Sequence, residues 1–190
     1  MNGAKCISTL MFFGNKLSLS QGEQFEDPSL CHSTIDALQY LTMTKPNISF
    51  FVNKLSQFLH APTIDHWKAC TKVVRYLHST IGYSLHFKPA KCLFLEGFTD
   101  EDLANSLDDR WSTSGYCVYL CGNLIQWSLG KQKLVARSNI ESKYKSLAQA
   151  AIKILWLQSL FHELEIKIAS CPTLPTRLLA MGRPMNYIYA

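Results

Sequence analysis

The sequence predicts an α/β (α+β) domain in which one long helix packs on a small sheet, preceded by a mainly helical segment. Three observations predict it. Leu93 to Thr99 is an apolar run of strand length ending in Asp100. Gly115–Leu120 and Leu124–Trp127 are apolar-aromatic runs joined by Cys121-Gly122-Asn123, a hairpin signal. Ser138-Asn139 then supplies a helix N-cap, and helical periodicity continues to about Leu164. Strand, strand, strand, helix is the order of a helix laid on a sheet.

The elements follow in order. Residues 1–28 have weak periodicity and read as a loop-rich lead-in. From about Ser29 the pattern becomes helical. Pro46 opens a second segment with Ile48, Phe51, Val52, Leu55 and Leu59 at helical spacings, and Ala61-Pro62 breaks it. A third helix runs to about Ser79, with Trp67, Cys70, Val73, Val74 and Leu77 on one face. Its other side carries Lys68, Lys72 and Arg75, either a solvated face or a track for a phosphate backbone. Gly82 to Phe87 reads as a strand and Lys88 to Lys91 as a linker. In the long helix, Tyr144, Leu147, Ala148, Ala151, Ile152, Leu155 and Phe161 form the expected buried stripe. From Cys171 to Ala190 there are three prolines, no acidic residue and no period, so this tail either caps the domain loosely or stays disordered. No internal repeat is visible.

Composition bounds the function. A chain of 190 residues with 47% hydrophobic content can bury a core and holds one domain, or one small domain and part of another. The net charge of +5 falls short of a dedicated nucleic-acid binder's basic stripe. Residues 1–90 carry eight Lys/Arg against five Asp/Glu, and residues 91–190 eleven against nine. No run reaches the length of a membrane span, and the first residues lack a signal-peptide pattern. Seven scattered cysteines, with Cys117 and Cys121 the one close pair, make a poor zinc site and read as reduced thiols. The expectation is an intracellular protein of the cytoplasm or nucleus, away from membranes.

Chemistry concentrates around Asp100. A carboxylate at a strand end, with Asp102 beyond it, can hold a divalent cation. Two-metal phosphodiester cleavage needs several carboxylates, because two cations about 3.5–4 Å apart repel each other. The neighbouring motifs keep a fixed order: Phe98-Thr99-Asp100-Glu101-Asp102, Trp111-Ser112-Thr113-Ser114-Gly115-Tyr116, Ile125-Gln126-Trp127-Ser128, Lys131-Gln132-Lys133 and Ser138-Asn139-Ile140-Glu141-Ser142-Lys143-Tyr144. Together they resemble the ribonuclease H domain of copia-type (Ty1/copia) retrotransposon Pol polyproteins. Upstream, Ala37-Leu38-Gln39-Tyr40-Leu41-Thr42, Lys45-Pro46-Asn47-Ile48, Phe51-Val52-Asn53 and Arg75-Tyr76-Leu77 resemble the C-terminal end of the same element's reverse transcriptase.

The resemblance spans roughly residues 3–170. It implies three parts: a reverse-transcriptase C-terminal, thumb- or connection-like segment over 1–90, an incomplete ribonuclease H-like domain over 91–170, and an aberrant tail over 171–190. It further implies a mixed sheet, Mg²⁺ or Mn²⁺ as cofactor, an RNA–DNA hybrid as partner, and contact with the absent polymerase portion. Asp100 matches the family's first metal-binding Asp. Its second carboxylate, in a Thr-Glu-Ala-Glu-Tyr pattern, falls on Lys143 here, and Glu141 matches the earlier Glu. Two helical residues apart, Glu141 faces nearly the opposite way from Lys143. The family's third Asp lies in a Cys-Asp-Asn sequence, where this chain has Cys171-Pro172-Thr173-Leu174-Pro175 and no acid after Glu165. Leu103 and Trp111 also depart from the pattern. The expectation is therefore a degenerate Pol fragment without nuclease activity. Two alternatives stand beside it: a non-catalytic nucleic-acid-binding module using Lys68, Lys72, Arg75, Lys131 and Lys133, and residual hydrolysis with Asp100, Asp102 and Glu141 holding one metal.

Overall fold

The computed structural model describes residues 7, 9, 10, 17, 18, 22–102, 111–132, 134–169 and 171–174. The chain forms two compact units that divide between Leu85 and His86.

The first unit is helical. Helix α1 spans Pro28–Leu41 and begins where Asp27 accepts a hydrogen bond from the Leu30 amide at 3.0 Å, with Pro28 pre-set for the first turn. A 3-10 turn at Pro46–Ile48 runs into α2, Ser49–Ser56. Helix α3, Ile64–Ser79, opens with a reciprocal cap in which the Thr63 amide donates to His66 Nδ1 at 3.0 Å and Thr63 Oγ1 accepts from the His66 amide. Cys31, Ile35 and Leu38 of α1 meet Val52 and Leu55 of α2 and Cys70 and Val73 of α3 in one buried core. Trp67, Val74 and Leu77 pack at its margin. All three helices therefore appear where the periodicity places them.

The expected strand over Gly82–Phe87 does not form. Tyr83, Leu85 and Phe87 alternate as a strand's side chains do, yet Tyr83 and Phe87 are exposed. A strand persists where a neighbour satisfies its backbone groups. Here no described strand pairs along the segment. The Tyr83 amide donates to the Thr80 carbonyl at 3.0 Å, and the Tyr83 carbonyl accepts from Lys45. Just beyond the segment, the Lys88 amide donates to Asn123 Oδ1 at 2.7 Å, and Asn123 Nδ2 donates to the Lys88 carbonyl at 2.9 Å.

The second unit is a three-stranded antiparallel sheet with one helix on it. The strands are β1 (Leu95–Asp102), β2 (Thr113–Leu120) and β3 (Asn123–Lys131), in the order β1-β2-β3. The β2–β3 hairpin turns on Cys121 and Gly122, with φ of 53° and 76°. Two consecutive positive φ values define a primed turn, whose twist suits a hairpin and which a glycine makes easier. The hairpin stands where the sequence puts it, although β3 runs four residues beyond Trp127. The parallel component expected of a mixed sheet is confined, among the described residues, to one bridge between Glu96 and Thr173. The Gly97 amide donates to the Thr173 carbonyl at 2.9 Å, and the Thr173 amide donates to the Leu95 carbonyl at 3.2 Å. The first residues after Cys171 thus belong to the sheet edge rather than to a loose tail; those from Pro175 onward lie outside the described residues.

Helix α4, Asn139–Glu163, lies across β1 and β2. Its buried stripe corrects the expectation. Ser142, Ser146, Ala150, Ile154 and Leu157 are buried. Tyr144, Ala148, Ile152 and Leu155 are exposed, while Leu147, Ala151 and Phe161 are half-buried. Small residues face the sheet because the helix approaches closely: a Cβ on Gly97 would lie 2.5 Å from Ile154 Cδ1 and 2.6 Å from Leu174 Cδ1. Leu95, Val118, Ile154 and Leu157 form the core beneath, each worth about 1.5–3 kcal/mol when fully buried. No described helix is long and apolar enough to cross a membrane.

Candidate functional site

The site implied by the sequence lies where the C-terminal half of β1 meets the first turns of α4. β1 carries Asp100 opposite Gly115 of β2, and Asp102 opposite Thr113. Asp100 is half-buried, and its Oδ1 accepts from the Glu101 amide at 2.9 Å. The backbone of Asp102 closes the strand; its side chain is not among those described.

Polar contacts at two serines fix α4 on this end of the sheet. Ser146 Oγ donates to the Asp100 carbonyl at 3.1 Å and shares a short hydrogen bond with the Thr99 hydroxyl, which itself donates to the Gly115 carbonyl at 3.1 Å. One turn earlier, Gln132 Nε2 reaches Ser114 Oγ at 2.6 Å and the carbonyl and hydroxyl of Ser142 at 3.0 Å each. The Gln132 amide donates to the Ser112 carbonyl at 2.8 Å. Gln132 is buried, and its Oε1 has no hydrogen-bond partner. Thr99, Gln132, Ser142 and Ser146 are the residues that sequence reasoning missed. The available signal was the pair of serines four apart in a helix, small and polar on one face.

These anchors set the orientation of the helix positions that matter. At about 100° per residue, Lys143 stands about 60° from Ser146 around the axis, whereas Glu141 stands about 140° away. Lys143 is exposed at this end of the helix. Glu141 acts as part of the helix cap. Ser138 Oγ accepts from the Glu141 amide at 3.2 Å, and Glu141 Oε2 accepts from the Arg137 amide at 2.8 Å. Lys145 Nζ pairs with Glu141 Oε1 at 2.7 Å. The hydrogen bond from Lys145, with that from the Arg137 amide, holds the Glu141 carboxyl below its ordinary value.

Among the described residues, the donor set does not fit a pair of divalent cations. Lys143, about 60° from Ser146 around the helix, presents an exposed ammonium, and Glu141 is turned to the cap. Among the described residues, no three His, Cys, Asp or Glu side chains come together in a group able to hold a metal ion. Cys117 and Cys121 form no such group: Cys117 is buried in β2, and Cys121 Sγ donates to the Cys92 carbonyl at 2.9 Å.

The basic residues divide between the units. Lys68, Lys72 and Arg75 fall on successive turns of α3 in the first. Lys68 is exposed and paired with Asp65 at 3.0 Å, while Lys72 and Arg75 are half-buried. In the second, Lys131 Nζ lies 5.9 Å from the centroid of the Trp111 ring. Lys133 lies outside the described residues.

Comparison with known proteins finds several relatives. The chain is 40% identical over 171 residues to the retrovirus-related Pol polyproteins from transposons RE2 and RE1 of Arabidopsis thaliana. In each case the match covers 90% of this chain and 12% of the relative. It is 35% identical over 133 residues to the retrovirus-related Pol polyprotein from transposon TNT 1-94 of Nicotiana tabacum, covering 70% of this chain and 10% of that one. The chain therefore spans about an eighth of the length of the curated relatives it matches first. No family model and no solved structure matches it.

Proposed function

Because this chain belongs to the retrovirus-related Pol polyproteins of transposons, we propose that its second unit is a copia-type ribonuclease H-like scaffold that does not cleave RNA–DNA hybrids. The first unit is then the end of the reverse transcriptase, which in an intact polyprotein docks on the polymerase portion. The observation that carries this reading is Lys143, an exposed ammonium about one helical turn from the serine that fastens α4 to Asp100. A carboxylate there would draw Mg²⁺ or Mn²⁺ towards Asp100; a lysine repels it and occupies its space. Glu141 offers no replacement, since its two oxygens serve Lys145 and the Arg137 amide.

A cleavage assay on a labelled RNA–DNA hybrid, with Mg²⁺ or Mn²⁺ supplied, tests the proposal. The expected result is no product above a metal-free control. Cleavage that Asp100→Asn abolishes would sink it.

A second, non-catalytic activity is favoured by the spacing of Lys68, Lys72 and Arg75 along one side of α3. Successive turns of a helix present charges at intervals suited to a phosphate backbone, without base readout. Binding of hybrid duplex should then weaken steeply with salt. Replacing all three residues by Ala should reduce the slope of log K against log salt by about 2–3. Absence of binding at low salt would remove this activity and leave the non-cleaving scaffold untouched.

A further inference from the structure

Between Tyr144 and Ser159, the side of α4 turned away from the sheet is largely apolar, with Glu141 and His162 at its two ends. Tyr144, Ala148, Ile152, Leu155 and Ser159 all fall within about 40° of the direction opposite the buried stripe. Tyr144, Ile152, Leu155 and the flanking Ile140 and Trp156 are between 55% and 68% exposed. At that exposure each large side chain leaves on the order of 100 Å² uncovered, about 500 Å² in all. That is in the upper part of the range for the largest apolar patch of a monomer, a patch that often serves a function. Two such faces together, with Ile140 and Trp156 covered at the flanks, would bury at most about 1,000 Å², where specific interfaces begin.

We propose that this face is the interface of a homodimer, in which two α4 helices pack antiparallel about a twofold axis passing between Ala151 and Ile152. The side-chain sizes favour that pairing. The axis sets Leu155 against Ala148 of the second copy, Tyr144 against Ser159, and Ile152 against Ala151, a large residue on a small one in each case. It also brings Glu141 to the level of His162, an acid opposite an imidazole. Antiparallel helices oppose their macrodipoles favourably. A parallel pair sets Tyr144 on Tyr144 and Ala148 on Ala148, crowding one layer and hollowing the next. A register shifted by one residue sets Ile152 on Ile152 and loses the alternation.

The test uses the full chain. Light scattering across concentrations about a hundredfold apart should show dimer giving way to monomer on dilution, as mass action requires. Leu155→Glu and Ala148→Trp should each raise the dissociation constant at least about tenfold while the circular dichroism stays unchanged, because both positions are exposed. Ile152→Cys should cross-link to itself when diamide oxidises the two thiols to a disulfide and is reduced to the hydrazine. Tyr144→Cys should not exceed the wild-type background, since its copies would lie about 22 Å apart along the axis. A chain that stays monomeric throughout overturns the proposal. So does a dimer indifferent to both substitutions, or one in which Tyr144→Cys cross-links as readily as Ile152→Cys.

Discussion

The hydroxyl of Ser146 donates to the backbone carbonyl of Asp100 at 3.1 Å, so the long helix is fastened to the sheet at the strand residue that the sequence motifs single out. The same hydroxyl meets Thr99, and both side chains are buried. Ser146→Ala should therefore cost about 1–2 kcal/mol, the range for losing a buried hydrogen bond and leaving a neighbour without its partner. Urea unfolding should show a lower midpoint with an unchanged slope.

Lys143→Glu supplies the carboxylate that the sequence resemblance leads one to expect at this position. The residue is exposed, so stability should stay within about 0.5 kcal/mol of the parent. The hybrid-cleavage assay should remain blank, because one further acid does not complete a two-cation site.

The cap at the start of α4 should respond to acid. Glu141's folded-state pKa is depressed, chiefly by Lys145 and then by the Arg137 amide. Its stabilisation is complete above the unfolded carboxylate's value and is lost as pH falls through the lower folded value. Urea midpoints measured between neutral and strongly acid pH should fall more steeply for the parent than for Glu141→Gln, with the two curves converging at the acid end.

Gly97 sits beneath Ile154 and Leu174, and both atoms in the way are ends of side chains able to shift. Gly97→Ala should cost about 1 kcal/mol, the lower end of the range for overpacking. Ile154→Val removes one of those atoms. The double variant should consequently lose less than the sum of the two single changes, a coupling measurable by a double-mutant cycle.

Thiol chemistry should divide the cysteines sharply. Cys31, Cys70 and Cys117 are buried, and burial pushes the Cys70 and Cys117 thiols up to about 12. Cys92 and Cys171 are exposed. A disulfide reagent at mildly alkaline pH should label Cys92 and Cys171 promptly, and the three buried thiols only as the chain unfolds. Peptide mass analysis at increasing labelling times reads the outcome.

The elements legible in the sequence were those written in hydrophobic spacing or turn chemistry. Ile48, Phe51, Val52 and Leu55 announced α2, and Cys121-Gly122 announced the hairpin. The failures share a cause. Hydropathy assigns serine to the surface, so the stripe of α4 was placed on Tyr144, Ile152 and Leu155. In fact Ser142 and Ser146 are buried because Gln132, Thr99 and Asp100 offer them partners. Likewise Tyr83 and Phe87 alternate convincingly, but alternation says nothing about whether a neighbouring edge exists. At the candidate site, the ordered motifs single out Asp100 and Lys143 as candidates, and the structure sets them near the end of β1 and in the first turns of α4. The occupation of Glu141 by Arg137 and Lys145 was not legible, because spacing alone distinguishes poorly between a cap and a ligand.

The bridge between Glu96 and Thr173 also sets an order of events during folding. The hairpin of β2 and β3 joins neighbours across two residues, whereas Thr173 must return over 77 positions to reach its partner, from 96 to 173. Closing so long a loop costs entropy before any contact repays it, so the hairpin leads and this edge arrives late. A ribosome would release most of the second unit before Thr173 emerged, and during that interval the outer side of β1 would be waiting for a neighbour still to be made.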